Sequence, residues 1–387
     1  MASVSYAGAG AVDAVKCISS RHRTRSVSSA VASGVRTGVE PNNSIESILV
    51  CPVCKASIAG DGSSYTCAKC EKSYFVQDGI LALTSKSTAL GEFSNEEMRE
   101  LLRAAEDLGW QKALATHVKP KNPAVLDLIL DPRRSSFLDL LPYSAGGIAV
   151  DIGCGYGGIS LQLARKYRRV FSLDSGLERL GFLNVIRKQE NIDNIQAIHH
   201  ENASSLPFAD DSVDLLVMVG VFEYLPLAFP EQSIRDVQHR VLSELHRVLK
   251  TGGHLYIGTK NRFGWPYWKG SADHNRLPFG PILPRALAGM LTRSLYNRPY
   301  RIIVDSLPAY RRLLRDAGFV DARVYWPQPG YQFPQAFVPL NGDAHEDRGP
   351  TRGSSPGALK RHAVAALQAL GILKYVVPHF SIVARKT

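Results

Sequence analysis

"AVDIGCGYGGIS", residues 149–160, decides how the rest of the chain is read. Four glycines, Gly153, Gly155, Gly157 and Gly158, fall in six positions behind a short apolar run. An apolar run, a glycine cluster and then the helical pattern "SLQLARKY" describe a strand that turns sharply into a helix. In a doubly wound sheet such a turn lies beyond the carboxyl ends of the strands, where ligands bind. The spacing also satisfies the G-x-G-x-x-G of a dinucleotide loop, but Asp151 places a carboxylate two residues ahead of the first glycine.

Outward from this turn the pattern stays α/β. "VFSLD", "IQAIHH", "VDLLVMVG" and "GHLYIGTK" read as strands, and "LERLGFLNVIRKQ" and "SIRDVQHRVLSELHRVLK" as helices, the second ending at Gly252 and Gly253. "PAYRRLLRDAGF" (helix), "ARVYW" and "FSIVARK" (strands) complete the domain, 144–387. Alternating strands and helices predict a parallel sheet covered on both faces. Residues 341–358 read as a loop, and "HAVAALQALGILKYVV" as an amphipathic helix whose apolar stripe packs on the core. Upstream, residues 87–143 read as a helical linker or lid, opened by Ser94 and Glu97 at capping-box spacing. The helix near Trp110 closes over the ligand or packs into the core.

Electrostatics chooses the ligand of the glycine turn. A dinucleotide would set its diphosphate against the loop. Beside Asp151, like charges at about 4 Å and an effective dielectric of about 20 cost on the order of 4 kcal/mol. S-adenosylmethionine carries a sulfonium and an ammonium and no phosphate, so the same carboxylate becomes favourable. Asp174, at the end of the second strand, suits ribose hydroxyls.

"VDIGCGYGGISLQLA", "VFSLDSG", "ENASSLPFADDSVDLLVMVGVFEYL" and "LSELHRVLKTGGHLYIGT", in this order, resemble the motifs of class I S-adenosylmethionine-dependent methyltransferases, nearest the ubiquinone-biosynthesis-type branch. The resemblance covers about 110 residues. It implies a Rossmann-like seven-stranded sheet whose last strand, "FSIVARK", is antiparallel. It also implies that Asp151, Gly153 and Gly155 meet the methionine portion, that Asp174 meets the ribose, and that Asn202 and Ala203 meet the adenine. Asn202 stands where the family usually has Asp, and an amide oxygen can still accept from the adenine amino group. Leu206 reads as packing, and His199 and His200 receive no role.

Cys51, Cys54, Cys67 and Cys70 form two C-x2-C pairs twelve residues apart, a spacing that reads as a four-thiolate zinc site. Four thiolates close the coordination sphere, so the zinc is structural, stabilising a unit (47–86) too small to fold on its core alone. "ILVCPVCKASI" and "YTCAKCEKSYFVQDGILAL" resemble the zinc ribbon related to the activator subunit of tRNA and protein methyltransferases, with either Tyr74 or Phe75 as its aromatic. Cys17 and Cys154 read as unpaired.

The segment 260–301 reads as a substrate-side insertion. It holds eight Lys or Arg against Asp273 alone, interleaved with Phe263, Trp265, Tyr267, Trp268, Phe279, Tyr296 and Tyr300. Cations and aromatic faces suit an acceptor with an anionic group, such as a phosphorylated glycan, a lipid-linked sugar or RNA. His274 is the candidate base, and Glu223 and Tyr224 line the acceptor pocket by resemblance.

Three functions stay open. The first is methyl transfer to a small or carrier-linked acceptor, a hydroxyl of a glycan or natural product. The second is RNA base methylation, since a zinc ribbon ahead of this domain also resembles ribosomal RNA guanine methyltransferases; against it, Lys55, Lys69 and Lys72 balance Asp61, Glu71 and Asp78 in the ribbon. The third is a non-catalytic, cofactor-binding partner protein. The net charge of +11 favours anionic partners without choosing among them. No apolar run is long enough for a transmembrane helix. Residues 1–46, rich in Arg and Ser with few acids, read as a disordered tail or an organellar transit peptide, and the remainder as cytoplasmic.

Overall fold

Strands buried on both faces build the centre of the molecule. A computed structural model of the chain describes residues 48–85, 93–142, 146–340 and 366–387. The Arg- and Ser-rich tail with Cys17, and the loop expected at 341–358, lie outside the described residues. In chain order the ribbon holds β1 (Ile58–Gly60), β2 (Ser64–Cys67), β3 (Ser73–Gln77) and β4 (Ile80–Ala82), followed by helix α1 (Asn95–Leu108). Then come β5 (Ile148–Ile152), α2 (Gly158–Leu163), β6 (Arg169–Asp174), α3 (Leu177–Gln189), β7 (Ile195–His199), β8 (Val213–Val219), α4 (Ile234–Val248) and β9 (Leu249–Lys260). The chain ends with α5 (Arg285–Tyr296), α6 (Leu307–Asp316), β10 (Val320–Gln328), β11 (Ala336–Pro339) and β12 (His379–Arg385), with short helical turns between.

The strands form one sheet in the order β1-β2-β3-β4-β7-β6-β5-β8-β9-β12-β10-β11. β7, β6, β5, β8 and β9 run parallel, and β12 is antiparallel to both β9 and β10. These seven strands, β7 to β10 in sheet order, are the expected α/β sheet with its reversed "FSIVARK" strand. The chain runs outward from β5 to β7 and then returns to β8, which makes the edge between β5 and β8 the switch point. Ile148, Val150 and Ile152 pack on one face with Phe171 and Leu216, while Ala149 packs on the other with Val170 and Val217. Each such buried Ile, Val, Leu or Phe side chain contributes about 1.5–3 kcal/mol. Asp151 and Ser172 are buried polar residues of the second face, and both lie at the candidate site.

The ribbon continues this sheet. β4 pairs in parallel with β7, Ile80 facing Ala197, and so covers an edge that would otherwise expose unpaired backbone groups. A second seam joins Leu49 to Phe208, with Val50 N donating to Pro207 O at 3.0 Å and Ala209 N to Ile48 O at 2.8 Å.

Ser94 caps α1, and Glu97 closes the capping box. Trp110 is buried and donates from Nε1 to Glu190 Oε1 at 2.7 Å, so it packs into the core and does not close over a ligand. Two expectations change. α4 ends at Val248, short of the glycines, because Leu249 already opens β9 and pairs with Val213 of β8; Gly252, at φ 81°, falls in the register shift that follows. The segment 366–377 is also less buried than its periodicity suggested. Leu373 and Val377 enter the core, but Leu370 is 70% exposed and Ile372 and Tyr375 face outward, because Gly371 breaks the helix between them.

Candidate cofactor and acceptor site

The glycine loop hangs from β6 by its backbone. Gly153 N and Cys154 N both donate to Leu173 O, at 2.8 and 3.0 Å. Gly157 starts α2 at φ 85°, and a Cβ there would lie 2.3 Å from Leu183 Cδ1, so packing alone demands glycine. Gly155 differs. At φ 55° its Cβ direction meets nothing within 4 Å, so one face of the loop stands open where a ligand would rest. S-adenosylmethionine fits this cradle, which offers backbone groups and the carboxylates of Asp151 and Asp174.

Asp151 is 2% exposed. Its Oδ2 accepts from Ser160 Oγ at 2.7 Å, and Ser160 in turn accepts from Ser172 Oγ at 2.8 Å. Burial pushes its carboxyl up to about 6, with Asp174 adding to the rise and the Ser160 bond and Arg134 opposing it. Asp174 ties loop to strand: Oδ2 accepts from Gly155 N and Oδ1 from Gly176 N, both at 2.8 Å. It also pairs with Arg179, a partner the sequence reading missed and whose only signal was a cation five residues on. A ribose there would share the carboxylate with this guanidinium.

His199 and His200, given no role from sequence, fasten the two neighbouring turns. His199 Nε2 is 3.2 Å from Ser175 O, and His200 Nε2 lies 2.8 and 3.0 Å from Asn202 O and Ser205 O. Asn202 Oδ1 accepts from Ser204 N and Oγ at 3.0 and 2.7 Å, so the oxygen expected to meet adenine is engaged inside its own turn. Ala203 is buried beside it. The turn is braced from the ribbon: Ser205 Oγ donates to Pro52 O, and Lys55 Nζ donates to Leu206 O and pairs with Glu244 at 2.8 and 2.7 Å.

Beyond the carboxyl end of β8 the candidate acceptor residues converge. Tyr224 Oη and His274 Nδ1 are 2.8 Å apart although fifty positions separate them in sequence. His274 Nε2 lies 4.0 Å from Glu223 Oε1, and both atoms are buried without a hydrogen-bond partner. Glu223 is fully buried, and its Oε2 accepts from Thr259 Oγ1 at 3.2 Å. Two atoms 4.0 Å apart can each reach a third polar atom at about 2.8 Å. Burial raises the Glu223 carboxyl against the pull of Lys260. Burial, with Lys260 adding, pushes His274 down to about 4.

In the ribbon, the sulfurs of Cys51, Cys54, Cys67 and Cys70 all lie within 4.8 Å of one another. Cys51 and Cys70 are 3.6 Å apart, and Cys54 and Cys67 3.4 Å. A tetrahedral zinc with Zn–S of about 2.3 Å needs edges of about 3.8 Å, so the donor set fits. Tyr74 is the ribbon's aromatic: its hydroxyl is 3.1 Å from Cys51 Sγ, whereas Phe75 is 63% exposed.

Comparison with known proteins agrees with this geometry. The family profile described as a methyltransferase domain matches residues 150–257. A demethylmenaquinone methyltransferase of Listeria welshimeri is 29% identical over 139 residues, covering 35% of this chain and 54% of that protein. An uncharacterized chloroplastic methyltransferase of Arabidopsis thaliana is 26% identical over 235 residues, covering 55% of this chain and 61% of that protein. The chain thus spans about half the length of the Listeria relative. Among solved structures, phosphoethanolamine N-methyltransferase 2 of Haemonchus contortus with S-adenosyl-L-methionine is similar at a TM-score of 0.42 and 14% identity, covering 76% of this chain and 60% of that one. The matched residues 150–257 hold the glycine loop, Asp174, Asn202, Glu223 and Tyr224, so the resemblance to a methyltransferase domain falls on the candidate site.

Proposed function

We propose that this chain transfers a methyl group from S-adenosylmethionine to a small or carrier-linked acceptor, at an oxygen of a glycan or natural product that also bears an anionic group. One observation carries the reading: Glu223 Oε1 and His274 Nε2, buried and unpartnered 4.0 Å apart, stand past the end of β8, next in the sheet to the strand that leads into the glycine loop.

Bound S-adenosylmethionine supplies a methyl group on a positively charged sulfur. Gly153, Gly155 and Asp151 receive its methionine end, Asp174 its ribose, and Asn202 with Ala203 its adenine. With the Asn202 oxygen engaged by Ser204, the amide NH2 of that side chain is the group left to face the ring. Glu223 and His274 hold the acceptor oxygen in line, and alignment supplies much of the acceleration. Of the two, Glu223 is the better proton acceptor, because its carboxyl is raised while His274 at about 4 is a weak base. Tyr224 fixes the His274 ring through Nδ1. Zinc held by the four cysteines is structural and keeps the ribbon against the adenine-side turn.

RNA as acceptor gains no support from the ribbon, whose Lys55 is turned inward onto Glu244. No helix among the described residues is long and apolar enough to cross a membrane. The test is to follow labelled methyl from the cofactor into cell-extract fractions with and without nuclease. Label in a nuclease-resistant small-molecule fraction, lost with Glu223→Gln, is the expected result. Label that vanishes with nuclease would replace this reading with RNA methylation, and tight cofactor binding with no labelled product in any fraction would favour a non-catalytic partner.

A further inference from the structure

The cations of the insertion are not equivalent. Arg262 donates to Pro281 O and Leu283 O, Arg285 pairs with Asp305, Arg298 donates to Asn275 O, and Arg301 donates to Pro226 O, Phe229 O and Gln232 O. Arg262 and Arg298 hold the insertion's own backbone, Arg285 its anchoring acid, and Arg301 ties it to the segment after β8. Lys269, Arg276 and Arg293 face outward. Lys260 remains. It ends β9, is half-buried, and its side chain makes no ion pair or hydrogen bond with any described residue.

An ammonium with no partner of its own is left available to an anion. The surroundings do not neutralise it. Glu223 and Asp273 attract it from beyond ion-pair distance. His379 pairs directly across from it between β9 and β12, so the two side chains share a face of the sheet. His379 Nδ1 is itself buried without a partner, and the ring of Tyr331 stands 5.3 Å from the imidazole. Burial, with Lys260 adding, pushes His379 down to about 4, as it does His274, so both imidazoles are neutral beside the ammonium. Tyr331 also reaches Gly220 at the end of β8, where its hydroxyl would lie 3.3 Å from an added Cβ. Tyr331 thus bridges β9 near Lys260, where it approaches Gly258, and the end of β8 just ahead of Glu223. Tyr331 beside His379 and Tyr224 beside His274 put an aromatic ring next to each imidazole, and the free polar heads are an ammonium, two imidazole nitrogens and a carboxyl.

We propose that Lys260 and His379 form a subsite for a carboxylate of the acceptor, set beside the position between Glu223 and His274 that receives the methylated atom. The acceptor is then a planar aromatic acid carrying a second oxygen. This rests on the methyl-transfer reading and narrows it to one substrate class.

Benzoate and benzamide share a shape and differ in charge, so their binding to the full chain in the presence of S-adenosylhomocysteine reads the subsite directly. By calorimetry, benzoate binds at least about tenfold more tightly than benzamide in the unmodified protein. Lys260→Met abolishes the preference, Lys260→Arg keeps it within about threefold, and affinity for S-adenosylhomocysteine is the same in all three. Equal binding of the two probes, binding of neither, or a preference that survives Lys260→Met overturns the subsite. The comparison in unmodified protein needs no variant to fold. Failure of S-adenosylhomocysteine itself to bind would instead overturn the reading of the glycine loop.

Discussion

Replacing Gly155 with alanine separates the fold from its ligand. The residue sits at φ 55°, where a side chain costs about 1–2 kcal/mol, and its new methyl would meet no protein atom within 4 Å. The folded chain therefore loses about 1–2 kcal/mol, a fall of a few degrees in melting temperature. The methyl does enter the space the cofactor would fill. Affinity for S-adenosylhomocysteine should drop at least about thirtyfold, or about 2 kcal/mol. Gly157→Ala, two residues away, behaves in the opposite way. It adds left-handed strain at φ 85° and places Cβ 2.3 Å from Leu183 Cδ1. Strain of about 1–2 kcal/mol and overpacking of about 1–3 kcal/mol sum to about 2–5 kcal/mol of lost stability. Thermal denaturation and calorimetry on the two variants read both quantities. A Gly155→Ala protein that binds S-adenosylhomocysteine like the parent would refute the placement of the cofactor. A Gly157→Ala protein as stable as the parent would refute the packing argument.

Affinity for S-adenosylmethionine should fall below pH 6, because Asp151, held at about 6, must ionise to favour a cation. It should be about tenfold weaker at pH 5 than at pH 7.5, with Asp151→Asn nearly flat across that range in the same titrations. The stability effect has the opposite sign. A carboxyl raised from 3.8 to about 6 contributes stability below its unfolded value that is lost as pH rises through about 6, so the ligand-free protein melts at relatively higher temperature on the acid side of that window. Glu223→Gln should lower kcat by about 10²–10⁴ while leaving S-adenosylhomocysteine affinity unchanged, as measured with any labelled acceptor fraction. Cys67→Ser, or chelation of the intact chain, should cost more than about 4 kcal/mol in thermal or denaturant unfolding. It should also weaken cofactor binding, because Lys55 and Pro52 of the ribbon brace the 202–206 turn.

Much of this was legible because the informative residues are close in sequence. The strand–glycine–helix turn, the Ser94 cap and the cysteine pairs each depend on local spacing, the reversed last strand followed from the family resemblance, and the structure places them as read. What sequence left open were side-chain partnerships across the sheet. Tyr224 and His274 were singled out separately, but the 2.8 Å contact between them depends on how the insertion folds back over β8. Arg179 carried no signal beyond its charge, and His199 and His200 could not be read as turn fasteners before the turns were known. The cationic insertion misled in a simple way: three of its six arginines bind carbonyls of the protein itself and a fourth pairs with Asp305, which composition cannot distinguish from ligand contacts. The exposed Leu370 shows the same limit, since periodicity ran unbroken through Gly371 although the helix did not.

Direct titration of the chain with S-adenosylmethionine and, separately, with NADH addresses the charge preference of the glycine loop. Saturable binding of the sulfonium ligand with no detectable uptake of the dinucleotide is the expected outcome. Tight capture of NADH by a protein that ignores S-adenosylmethionine would contradict the account at its base.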